Sequence, residues 1–369
     1  MISVDVTPHE TPAEWDPPLA AAPGGTVFQT TSWAEYSRAY FGAVPHFLSA
    51  REDGRRVGQL LLLEMPRGGE SLIGRRDLAT RLLRPLMKAF SWREGPVVHE
   101  PARRHEVVGA FLVAVRDLAR RRGATGIEES SLPLVEPPDD ALVRSFEGAG
   151  YDRRPRATVR VDLRHPIDDL WKSLKGDVTR TPVRKAERQG VRCVEVASDE
   201  DFARYQDLVE AWRALQGQSR YPAGKFSLMR RALRERATFF LAVADDGVPV
   251  GGAGLWHFAG RAHFFTPVQS AAARERKIYA GDFLLWEMIR WCHARGFEFL
   301  DLSWIPLHPV SAKEDGIRRF KSKWGAIVEY PIFVQAMRRR AWGAVDRLRR
   351  LRRRIAARGE GRAPDEDDA

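Results

Sequence analysis

Cysteine is nearly missing from this 369-residue chain. The two that occur, Cys193 and Cys292, stand far apart, which excludes a disulfide framework and a cysteine metal cage. No stretch approaches the roughly 18 consecutive apolar residues of a membrane-spanning helix. The opening MISVDVTPHETPAEWDPP has neither the basic nor the apolar region of a secretory signal. Lysine is scarce too: only 9 of the 60 basic residues are lysine. These absences lead us to expect a cytoplasmic protein without metal or cofactor, free to touch the inner membrane face only from outside.

What is present suits two domains. Hydrophobic residues make up 44% and aromatic residues 10% of the chain, enough for two cores at this length. The net charge is +11, and the acidic end Asp365, Glu366, Asp367, Asp368 leaves the rest more basic still. A basic surface suits nucleic acid, nucleotides or anionic lipid. Abundant arginine is equally consistent with a solvated surface. Where lysine does occur in a chain that otherwise writes arginine, a compact, titratable ammonium can be the requirement.

An internal duplication organises the sequence. HFLSAREDGRRVGQLLLLE in the first half and FFLAVADDGVPVGGAGLWH in the second share a layout. Phe47, Leu48, Asp53, Gly54, Val57 and Gly58 match Phe240, Leu241, Asp246, Gly247, Val250 and Gly251 without a gap. Each Asp-Gly pair between apolar runs predicts a hairpin. Pro96-Val97 and Pro267-Val268 follow at corresponding places. Next come helices Val107–Arg122 before Gly123 and Phe283–Arg295 before Gly296, glycine just past a helix being a common stop. Each helix leads to a strand with an acid, Glu128 in one half and Asp301 in the other. Hairpin, strand, helix and strand, twice over, predict a tandem α+β protein with its boundary near residues 150–157.

Three clusters could carry chemistry. In EDGIRRFKSKWGA, read as a helix ended by Gly325, Ile317, Phe320 and Trp324 form an apolar stripe that includes Lys321, while Arg318, Arg319 and Lys323 face water. Lys321 then either snorkels or serves as a fixed cation where negative charge develops. In RTPVRKAERQG, Arg180, Arg184, Lys185 and Arg188 crowd a short helix, with Thr181 as its N-cap and an anion-favouring N-terminus; a solvated basic helix fits equally. The apolar stripe before it runs through Leu170, Trp171, Leu174 and Val178. Asp301, at the end of an apolar strand, can orient a nucleophile, accept a proton or hold a loop. A basic amphipathic helix over 336–358 could face RNA, a membrane surface or plain solvent.

These residues resemble a family, the FemABX aminoacyltransferases. The likeness is carried by Phe299-Leu300-Asp301-Leu302 followed by Phe320-Lys321 and Trp324-Gly325, by Arg184-Lys185-Ala186-Glu187-Arg188-Gln189-Gly190-Val191, by Phe28-Gln29 and Trp33 near the start, and by Gly95-Pro96-Val97-Val98. The family's phosphate-contacting lysine after the N-terminal tryptophan is replaced here by Ser37-Arg38. The resemblance implies two tandem GNAT-like domains, 1–152 and 153–335, followed by the basic helix 336–358 and an acidic tail 359–369. It implies transfer of an aminoacyl group from aminoacyl-tRNA to an amine of a peptide or peptidoglycan precursor. Lys321 would stabilise the oxyanion, with Asp301 catalytic beside it. Arg180, Arg184, Lys185, Arg188, Arg220 and Trp324 would bind substrate. Two alternatives stand: an acyl-CoA-dependent GNAT N-acyltransferase, and a non-catalytic RNA- or membrane-surface-binding protein. Against CoA, the stretch Arg274 to Asp282 holds a single glycine where a pyrophosphate turn needs more.

Overall fold

The structure, a computed structural model, describes residues 2–66, 88–134 and 140–337, with Gly343 and Arg347. The predicted basic helix and acidic tail therefore lie almost wholly outside the described residues. In chain order the strands are β1 Ser3–Thr7, β2 Val44–Glu52, β3 Arg55–Pro66, β4 Lys88–Trp92, β5 Val97–Val98, β6 Gly126–Ser131, β7 Asp152–Asp162, β8 Arg192–Glu195, β9 Ala237–Val243, β10 Pro249–Phe258, β11 Arg261–Gln269, β12 Phe299–Ile305 and β13 Ala326–Ala336. The helices are α1 Pro12–Ala21, α2 Thr31–Phe41, α3 Arg104–Arg122, α4 Asp140–Gly148, α5 Ile167–Ser173, α6 Thr181–Arg188, α7 Asp199–Leu215, α8 Lys225–Leu233, α9 Ala271–Glu275, α10 Ala280–Ala294 and α11 Ala312–Ser322. None of the described helices is long and apolar enough to cross a membrane.

Contacts divide the chain into two units. The first comprises residues 1–10, 37–154 and 332 onward; the second comprises 11–36 and 155–331. In the first, the strand order is β1-β2-β3-β4-β6, ending on the second half of β13. In the second it is β8-β9-β10-β11-β12-β7, with the first half of β13 beyond β7. The α+β architecture read from the sequence is the one observed. Hairpins β2–β3 and β9–β10 are antiparallel, and β4–β6 and β11–β12 are the parallel pairs, joined through α3 and α10. Gly123 stops α3 in the left-handed conformation at φ 67°. In the second unit β7 closes on β12, and in the first the end of β13, from the other half of the sequence, closes on β6.

Each unit has its own core. Leu48, Leu60, Phe90, Phe111, Phe146 and Phe333 sit in the first; Val159, Phe240, Leu255, Leu284, Leu300 and Trp324 sit in the second. Residues 11–36 pack on the second unit through buried polar ties as well as rings. Asp16 accepts from the Thr31 N–H and hydroxyl at 3.0 and 2.9 Å, and the Arg236 guanidinium lies 2.8 Å from its carboxylate. Arg261 donates to the Gly25 carbonyl at 2.6 Å. The Phe28 ring lies 4.7 Å from His263, and Trp33 lies 5.3 Å from Trp256.

Removing one partner of a buried ion pair strands the other charge, at a cost of about 3 kcal/mol. Arg236→Met is therefore expected to lower stability to urea by that order. Lys172→Met, which breaks only the exposed pair with Asp169, should cost under about 1 kcal/mol. Equal midpoints for the two variants would show that the 11–36 segment is not held through Asp16.

Candidate active site

The parallel ladder between β11 and β12 is short. It covers Arg261↔Phe299, Ala262↔Leu300 and His263↔Asp301, and then stops, although β11 runs on to Gln269 and β12 to Ile305. The strands part after Asp301, and a fork opens at the end of the ladder. Ser303 sits in the fork in the left-handed conformation, φ 64°, a region that costs a non-glycine residue of order 1 kcal/mol or more. Its N–H donates to Asp301 Oδ1 at 2.6 Å, and its Oγ donates across the gap to the Phe264 carbonyl at 2.5 Å. Thr158 Oγ1 on β7 donates to the same Asp301 oxygen at 2.8 Å. Asp301, only 7% exposed, is thus held from both sides.

Helix α11 brings Lys321 to this fork. The helix starts on a capping box: Ser311 Oγ accepts from the Glu314 N–H at 3.2 Å, and the Glu314 carboxylate reaches back to the Val310 N–H at 2.8 Å. Arg318 donates to the Pro306 and Leu307 carbonyls at 2.7 and 2.8 Å, tying the helix to the loop after β12. Phe320 and Trp324 pack on the unit's core. Lys321 Nζ then reaches the Trp304 carbonyl at 2.7 Å and, more loosely, the Ser303 carbonyl at 3.4 Å. Burial pulls the Lys321 ammonium down to about 8, against the Asp301 charge, which holds it up. An ammonium has three protons, and these two carbonyls engage two of them.

Several expectations change here. Lys323 does not face water: it caps α11, pairs with the Asp282 carboxylate in the first turn of α10, and donates to the Val178 carbonyl at 3.0 Å. Burial raises the Asp282 carboxyl despite that pairing. Arg318 is likewise engaged by backbone, whereas Arg319 stays exposed and pairs with Asp315. Gly325 is not the helix stop. A Cβ there would lie 2.2 Å from the Arg160 carbonyl oxygen, so glycine is required for the close approach to β7. Thr181 is not an N-cap: the chain enters α6 from a π-turn over Gly176–Arg180, and the Thr181 N–H bonds to the Gly176 carbonyl. The N-terminus of α6 is therefore partly satisfied from within. Val178 leaves the apolar stripe and is exposed.

The remaining predicted residues fall into three places. Arg180 folds back over Gly176, Arg184 lies over the Trp171 ring at 5.7 Å, and Lys185 lies over Tyr279 at 5.1 Å; Arg188 is exposed. Lys323 links this group to Lys321, since it touches both the turn before Arg180 and the helix after Tyr279. Arg220 stands apart on the loop between α7 and α8, exposed, 3.8 Å from Glu210. Trp324 is buried at 3% exposure, its indole part of the core beneath Lys321. Sequence reasoning missed Ser303, Thr158 and Asp282. The first had a visible signal: Leu300, Leu302 and Ile305 break the two-residue alternation at that point.

Lysine-selective NMR should show Lys321 titrating with a midpoint near 8, below the ordinary lysine value of about 10.4. Asp301→Asn removes the charge that favours the ammonium, so the midpoint should move lower still. A wild-type midpoint above 10, or one that rises in Asp301→Asn, would contradict this arrangement.

Residues 177–322 match a family model described as an acetyltransferase (GNAT) domain. That stretch opens at the π-turn, closes at the end of α11, and contains Asp301 and Lys321. No curated protein matches the sequence. Among solved structures, FemX is similar over 92% of this chain and 99% of its own, with TM-score 0.74 and 16% identity. The C-terminal domain of a putative lysylphosphatidylglycerol synthetase from Agrobacterium fabrum is similar over 92% of this chain and 97% of its own, with TM-score 0.56 and 15% identity. The L-PGS of Bacillus licheniformis is similar over 80% and 85%, with TM-score 0.51 and 14% identity. Over 92% of its length the chain has the FemABX/GNAT-like acyltransferase fold.

Proposed function

We propose that this protein is an acyltransferase that moves an aminoacyl group from aminoacyl-tRNA to an amine of a peptide or peptidoglycan-precursor acceptor. The observation that carries the reading is the Lys321 ammonium, half-buried at the fork with two carbonyl partners and a third N–H to offer. The acceptor amine attacks the ester carbonyl and a C–N bond forms. The carbonyl oxygen takes the negative charge of the tetrahedral stage, where the Lys321 N–H stabilises it. The carbon–oxygen bond to the ribose then breaks, and the proton released by the amine leaves on the ribose hydroxyl. Asp301 keeps Lys321 charged and fixes the Ser303 turn that anchors it. In this reading Arg180, Arg184, Lys185 and Arg188 meet donor phosphates.

Two features favour tRNA over acyl-CoA. The chain is strongly basic, and the first turn of α10 already holds the Asp282 carboxylate paired with Lys323, a poor neighbour for a pyrophosphate at that helix end. A tRNA donor puts the reaction in the cytoplasm.

The test is single-turnover transfer from labelled aminoacyl-tRNA. Removing one oxyanion donor typically costs on the order of a hundred- to a thousand-fold, so Lys321→Met should lose that much rate with tRNA affinity within a few-fold. Arg319→Gln, at a side chain 75% exposed, should stay near wild type. Equal rates in the two variants would remove Lys321 from the chemistry. Affinity for tRNA should fall steeply with salt as phosphate contacts release counterions. Tight acetyl-CoA binding without tRNA affinity would favour the CoA-dependent enzyme instead.

A further inference from the structure

Leu300 and Leu302 point into the core, so residue 304 would be the next to do so. It does not. The left-handed turn at Ser303 inserts an extra step, seen as the register shift against β7 between Asp301 and Trp304. Ile305 takes the core position, and Trp304 is turned out at 42% exposure. A β-bulge re-aims side chains in this way, and a strained one is retained where the surroundings hold it. No ring or cation among the described residues covers the Trp304 indole. Its own carbonyl is the 2.7 Å anchor of Lys321, so the exposed ring stands one residue's breadth from the proposed oxyanion site.

The same end of the second unit carries other groups of fitting chemistry. Lys323 connects Lys321 to the Val178 turn and to α10. Tyr279, 44% exposed, stands just before α10 with Lys185 over its face. Aromatic faces interleaved with cations at the mouth of a cleft are the pattern that binds single-stranded nucleotides: rings stack on bases, and cations meet phosphates. A lipid surface would also take tryptophan, but the interleaved cations favour a nucleotide.

We infer that Trp304 is a stacking platform for an adenine ring, the terminal adenosine of the donor RNA, turned outward by the Ser303 bulge and set beside the reacting ester. This deepens the aminoacyl-tRNA reading and rests on it. Adenine also occurs in CoA, so the experiment includes both sources.

Affinities are measured for an RNA minihelix ending in CCA, the same minihelix lacking its last adenosine, CoA, and phosphatidylglycerol vesicles, with wild type, Trp304→Ala and Trp304→Phe. Because the ring is largely outside the core, melting temperatures should agree among the three. Stacking on one base is expected to contribute on the order of ten- to a hundred-fold in affinity. Trp304→Ala should lose that factor on the CCA minihelix, and Trp304→Phe should lose only a few-fold. Deleting the terminal adenosine should cost wild type the same factor and cost Trp304→Ala almost nothing, since the two changes remove one contact. If the loss appears with CoA and wild type does not bind the minihelix, the adenine platform stands while the tRNA donor falls. Equal minihelix and CoA affinities in wild type and Trp304→Ala overturn the inference, as does failure of wild type to bind either. A dependence on Trp304 seen only with vesicles overturns it in favour of a lipid-facing tryptophan.

Discussion

The fork between β11 and β12 depends on a single backbone turn, Ser303 in the left-handed region. Its amide holds Asp301, its hydroxyl bridges to β11, its carbonyl accepts from Lys321, and its added step turns Trp304 outward. Remove that turn and the strand would continue flush against its neighbour, Trp304 would compete for the core position of Ile305, and the two carbonyls that receive Lys321 would point elsewhere. The cost of the strained residue is offset locally by these bonds and by the Thr158 hydroxyl on Asp301. A lysine brought to such a place by a well-capped, core-packed helix has little freedom left to lose, which is what a preorganised cation requires.

The first unit shows what the same topology does without these features. Its parallel pair β4–β6 carries on past the ladder: the Glu94 and Gly95 amides donate to the Ser131 hydroxyl and carbonyl, so the strands stay bridged. No lysine occurs anywhere between Lys88 and Lys172, so that unit has no counterpart of Lys321. The duplication is one of framework, and the chemistry we propose belongs to one copy of it.

Much of this framework could be read from residue order. The Asp-Gly hairpins, the Arg-Gly helix ends and the acid-bearing strands after them are local signals, and each is where the spacing put it. So is Lys321 on the core-facing side of its helix. The return of the end of β13 to the first unit is not legible, because nothing in that strand encodes which ladder it completes. Residues 11–36 read as part of a continuous N-terminal domain, yet Asp16 and Phe28 pack on the second unit. Their partners Arg236 and His263 lie more than two hundred residues away, beyond any periodic signal. The surroundings of Lys323 are illegible for a related reason. Helical spacing puts it off the apolar stripe, but the helix ends there, and a carboxylate on another helix waits for it. The Ser-x-x-Glu capping signal at Ser311–Glu314 is legible in the sequence.

The central claim is that the charge on Lys321, held at the fork, stabilises the transition state of acyl transfer. It is tested most directly by the pH dependence of the single-turnover rate on aminoacyl-tRNA, corrected for spontaneous ester loss. A lysine whose ammonium is required, and whose folded-state value lies near 8, supports catalysis below that pH and loses it above as the proton leaves. The account predicts a falling alkaline limb whose midpoint coincides with the titration of Lys321 itself. A rate that stays level through pH 9 while Lys321 loses its proton would contradict it.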